Sequence, residues 1–84
     1  MSLSLHDYVT TTRTDGGLVL LDERSGRYWQ INESGTVALE VLLGGGTLDS
    51  AAEAVVRRYV VEPGCAVEDV RLLIERLRAA RLAR

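Results

Sequence analysis

The hydrophobic pattern changes its period once, near Asn32, and that change limits the chain to a small sheet followed by helices. Before Asn32 the apolar and β-branched residues sit in short runs divided by turn residues. Tyr8 to Arg13 (Tyr-Val-Thr-Thr-Thr-Arg) is rich in β-branched residues and reads as a first strand. Asp15-Gly16-Gly17 follows as a hairpin signal, since glycine accepts the positive φ of a tight turn. Leu18 to Leu21 is apolar at every position, which predicts a central strand covered on both faces. Asp22 to Gly26 is a second turn, and Arg27-Tyr-Trp-Gln-Ile31 a third strand.

After Asn32 the period is helical. Asn32 is an N-cap, and Ala38, Leu39, Leu42 and Leu43 recur at helical spacing until Gly44-Gly45-Gly46 stops the helix. Thr47 caps a second helix with Leu48, Ala52, Val55, Val56 and Tyr59 on one stripe. Pro63-Gly64 breaks the chain again. A last helix is predicted from about Val67 to Ala80, with Glu68 and Asp69 in its first turn and Arg76, Arg78 and Arg81 near its end, as the helix dipole favours. Short connections let the strands form an antiparallel meander. The expected fold is α+β, a winged helix-turn-helix with a three-stranded antiparallel sheet followed by three helices, in a single domain over residues 1–84.

Size and composition then exclude function classes. A chain of 84 residues buries roughly 60–65% of its unfolded surface and has little room for a deep active site. There is no Ser–His–Asp set, no Cys–His pair and no phosphate loop, so an enzyme is not expected. His6 and Cys65 stand alone, His6 near a terminus expected to fray, and Cys65 reads as a loop cysteine; neither a metal site nor a cofactor is expected. No apolar run approaches a membrane span and no signal segment is visible, which points to a cytoplasmic protein away from membranes. The net charge is −2, and neither half of the chain is a basic surface for nucleic acid.

Two features stand out against this background. The third strand is an edge of the meander and carries Tyr28 and Trp29, yet only Arg27 blunts it. An unprotected aromatic edge suits addition of an extended peptide as a further strand, although Trp29 and Ile31 could equally turn into the core under the last helix. The last helix is also apolar more than halfway round. Val70, Leu73, Ile74 and Leu77 suffice for a core stripe; Val67 and Leu72 are extra, as a groove wall would require.

The segment Leu20 to Gly35 (Leu-Leu-Asp-Glu-Arg-Ser-Gly-Arg-Tyr-Trp-Gln-Ile-Asn-Glu-Ser-Gly) resembles the PqqD-like family, in which an aromatic strand runs into a Leu-Asn-Xaa-Ser/Thr-Gly/Ala helix start. The resemblance continues through Val41-Leu42-Leu43-Gly-Gly-Gly, through Thr47 with Ala52 and Val55-Val56, and into Asp69-Val70-Xaa-Xaa-Leu73 with Leu77. Ile31 stands where the family more often has Leu. The chain closely resembles the stand-alone members encoded in lasso peptide clusters. The resemblance implies a recognition domain without enzymatic activity. It would bind the leader of a ribosomally made precursor peptide on the third strand and present it to a leader peptidase and a macrocyclase. It places the peptide on Arg27, Tyr28, Trp29, Gln30 and Ile31, with Val67, Asp69, Val70, Arg71, Leu73 and Ile74 as the helix wall.

The strongest rival is a winged-helix DNA-binding protein, which shares the fold. Its support is the arginine cluster Arg76, Arg78, Arg81 and Arg84; against it stands a last helix that begins Ala66-Val-Glu-Asp69, which would repel phosphates. A structural subunit of a larger assembly is a further alternative.

Overall fold

Two turns fold the first part of the chain into the expected meander. The computed structural model describes residues 3–84. Strands β1 (Val9–Thr14), β2 (Gly17–Asp22) and β3 (Arg27–Asn32) pair antiparallel in the order β1-β2-β3. The first hairpin turns on Asp15-Gly16, but the unusual backbone falls on Gly17, at φ +143°. A Cβ there would meet the Ile31 carbonyl oxygen at 2.0 Å, so only glycine lets β2 approach β3. The second turn is braced by Asp22, whose carboxylate accepts from the Arg24 amide (2.9 Å) and guanidinium (2.9 Å).

Helices α1 (Glu33–Leu43), α2 (Leu48–Arg58) and α3 (Pro63–Ala79) follow. Asn32 caps α1 by accepting from the Gly35 amide at 2.8 Å. Gly44-Gly45-Gly46 ends it: Gly45 is left-handed at φ +96°, and the Gly46 amide reaches back to the Val41 carbonyl. Thr47 and Ser50 form a reciprocal capping box at the start of α2. The core lies between the sheet and helices, with Leu20, Leu39 and Leu82 wholly buried among Ala38, Leu42, Val55, Val70, Ile74 and Leu77. Each such leucine contributes about 1.5–3 kcal/mol by leaving water.

Four expectations change. First, α3 begins at Pro63, not near Val67. Proline at the first helical position sacrifices only an amide that would be unpaired anyway. Second, Glu68 and Asp69 therefore lie beyond the first turn, which holds no acid, and Cys65 is an exposed helical residue instead of a loop one. Third, β2 is covered on one face only. Leu20 and Asp22 are buried, whereas Val19 and Leu21, on the opposite face, are partly exposed. Fourth, the segment around His6 is pinned: its amide donates to the Leu82 carbonyl (3.0 Å), Leu5 bridges Ala83, and the Arg84 amide donates to the Ser4 carbonyl (2.8 Å).

Candidate functional site

The free edge of β3 can be resolved residue by residue. The Glu23 amide donates to the Tyr8 carbonyl (2.9 Å), which makes Tyr8 and Glu23 a hydrogen-bonded pair one step beyond Val9↔Asp22. Hydrogen-bonded and non-bonded pairs alternate along an antiparallel ladder. The backbone groups of Leu18, Leu20 and Asp22 therefore face β3, where they meet Ile31, Trp29 and Arg27. It follows that Tyr28 and Gln30 turn both N–H and C=O outward, unpaired by the sheet. Asn32 is outward too, but its carbonyl accepts from the buried Thr36 hydroxyl at 2.8 Å.

Side chains alternate the other way. Trp29 lies opposite Leu20, which is wholly buried, so Arg27, Trp29 and Ile31 are on the core side of the sheet. Tyr28, 69% exposed, and Gln30 point to the outer face. Trp29 and Ile31 pack against the core, as the alternative to an open edge required, yet the edge is not covered: no Cα of α3 comes within 8 Å of one in β3. Helix α3 packs on α1 and α2 instead. The segment after α3 is tied to the residue before β1, where the Tyr8 hydroxyl donates to the Arg81 carbonyl (2.6 Å).

Between β3 and α3 runs an open groove of about 490 Å³. Trp29, Gln30 and Ile31 form its strand wall, Ala38 and Val70 its floor, and Asp69, Leu72, Leu73 and Arg76 its helix wall. The structure thus brings together Trp29, Gln30, Ile31, Asp69, Val70 and Leu73 from the sequence-predicted set. Arg27 adjoins them, its guanidinium 5.5 Å from the Trp29 ring centre. Val67, Arg71 and Ile74 lie off the groove. Val67 packs against the core, Ile74 is buried in it, and Arg71 is held by Glu68 and Glu75 on the exposed face of α3. That guanidinium lowers the Glu68 carboxyl below its usual range.

Leu72, which the sequence marked as surplus to the core stripe, and Arg76, which it did not assign to the peptide site, complete the helix wall. Their spacing with Asp69 and Leu73 was a usable signal, since positions three, four and seven apart share one helical face. The turn that delivers β3 is electrostatically fixed: hydrogen bonding from Arg24 holds the buried Asp22 carboxyl down at about 2, and the Arg24 guanidinium lies 3.7 Å from the centre of the Tyr8 ring. Among the described residues no cluster of His, Cys, Asp and Glu is arranged to hold a metal ion, and no helix is long and apolar enough to cross a membrane.

An open sheet edge facing a helix across a groove defines a small α+β module of three strands followed by three helices. Residues 17–83 match the family of coenzyme PQQ synthesis protein D (PqqD), and the chain belongs to that family. Its fold is similar to a structure described as lasso peptide synthetase B1 complexed with the leader peptide. The TM-score is 0.91 at 32% identity, over 100% of this chain and 99% of the other. It also shares the fold of TbiB1 in complex with the TbiA(beta) leader peptide, at TM-score 0.83 and 23% identity, over 100% and 95% of the two chains. Among curated proteins no sequence matches.

Proposed function

We propose that this protein is a single-domain, non-catalytic recognition element that captures the leader segment of a ribosomally made, lasso-type precursor peptide. The leader adds to β3 as a fourth strand and lies against α3. The observation that carries this is the outward pair Tyr28 and Gln30, whose unpaired backbone groups lie at the edge of the groove between β3 and α3. A strand beside β3 would sit about 4.8 Å away, and no Cα of α3 comes within 8 Å of one in β3. Similarity to a synthetase component solved with a leader peptide supports the same occupant. Backbone bonding supplies affinity and the groove supplies selectivity.

The protein would act in the cytoplasm by holding precursor near the leader peptidase and macrocyclase of its pathway. Tethering of this kind raises effective concentration to about millimolar without chemistry by the tether itself. DNA binding draws little support from the arrangement of the arginines. Arg76 faces the groove, Arg78 donates to the Arg84 carbonyl (3.1 Å), and Arg71 is neutralised by two glutamates.

Trp29 is the only tryptophan and lines the groove, so its emission reports occupancy. Titration with a synthetic lasso leader peptide should shift that emission saturably, and titration with random duplex DNA should not. A saturable response to DNA with none to leader peptide would overturn the proposal.

A further inference from the structure

We infer that the groove reads charge as well as shape: it selects an extended segment that places a carboxylate opposite Arg27 and apolar side chains opposite Trp29 and Ile31. This rests on strand capture at β3 and follows from the register. A peptide hydrogen-bonded to Tyr28 and Gln30 must turn the side chains opposite Arg27, Trp29 and Ile31 into the groove, because directly opposed residues share a face. Two of those positions meet an aromatic or aliphatic wall, completed by Leu72 and Leu73. The third meets a guanidinium. The rule holds whichever way the added strand runs.

The arginines at the groove differ from those that are ion-paired along the helices. Arg71 is held by Glu68 and Glu75, and on α2 Arg57 faces Glu53. Among the described residues neither Arg27 nor Arg76 makes an ion pair, and both are exposed. The groove lining itself carries one charge of each sign, Asp69 and Arg76; Arg27 adds a positive charge beside it, while Asp22, opposite Arg27 on β2, is engaged by Arg24. A lysine or arginine opposite Arg27 would be repelled, whereas a glutamate or aspartate would gain a cross-strand ion pair worth up to about fivefold in affinity.

The test exchanges charges on both sides. Two fluorescein-labelled synthetic leader peptides are compared, identical except for Glu or Lys at the position opposite Arg27, located by scanning the substitution along the peptide. Anisotropy should show wild-type protein favouring Glu by about fivefold at one position, and Arg27→Glu inverting that preference. Arg27→Gln should abolish the preference without inversion, which covers the case in which Arg27→Glu repels Asp22 and fails to fold. Arg57→Glu changes net charge equally but lies off the groove and should keep the wild-type preference. If the leaders bind with β3 protected from exchange, but the Glu/Lys preference is the same in wild type and the Arg27 variants, the charge inference is overturned and strand capture stands. If neither leader binds wild type, strand capture falls and the inference with it.

Discussion

Proline at position 30 separates peptide docking from folding. The Gln30 amide faces away from β2, so Gln30→Pro removes no ladder bond within the sheet, and proline is tolerated on an edge strand in that orientation. The folded state should lose only about 1 kcal/mol, from the constrained φ. The same substitution deletes a donor that the added strand needs, leaving a carbonyl of the bound peptide buried without a partner. Such a group costs about 1–3 kcal/mol, or about 5- to 150-fold in affinity. Ile31→Pro is the reciprocal case, because its amide belongs to the ladder with Leu18; it should compromise folding itself. Thermal melts of both variants, beside leader-peptide titrations of Gln30→Pro, measure the two effects. A Gln30→Pro protein that folds and binds leader with wild-type affinity would refute the derived edge geometry, and so would one that fails to fold while Ile31→Pro melts normally.

Three further outcomes follow from the same structure. Gly17→Ala should lower stability by at least about 2 kcal/mol in a denaturant melt, because the added Cβ would collide with the Ile31 carbonyl and the residue would hold a strained positive φ. Arg81 occupies the left-handed position after α3 at φ +60°, with the Leu82 amide bonded to the Leu77 carbonyl; Arg81→Gly should raise stability by about 0.5–1 kcal/mol. Asp22 has its folded-state pKa depressed from 3.8 to about 2, so its ionised form stabilises the fold above about pH 4, and that contribution is lost as pH falls toward 2; Asp22→Asn should flatten the stability-versus-pH curve across that window.

Much of the fold was legible because its boundaries are set by local chemistry. Asn32, Thr47 and the glycine triplet act through bonds within a few residues of themselves, and they fall where the pattern placed them. The start of α3 was misplaced because Pro63-Gly64 serves a break and a helix start equally well. Apolar content alone could not show that β2 is covered on one face, since that depends on where the helices pack. For the candidate site, the edge position of β3 was readable from strand order. The rotation of α3 was not. A helix apolar over more than half its circumference offers several faces, and packing against α1 and α2 selects the one carrying Asp69, Leu72, Leu73 and Arg76. The pinned N-terminal segment was hidden for a similar reason, because its partners Leu82 and Ala83 lie at the other end of the chain.

Hydrogen exchange read at single amides tests strand capture most directly. In the free protein the amides of Tyr28 and Gln30 should exchange fast, while those of Trp29 and Ile31, bonded to β2, exchange slowly. A saturating leader peptide should slow Tyr28 and Gln30 together. Leader binding that leaves both amides fast, or that protects β1 instead, would contradict the addition of a strand to β3.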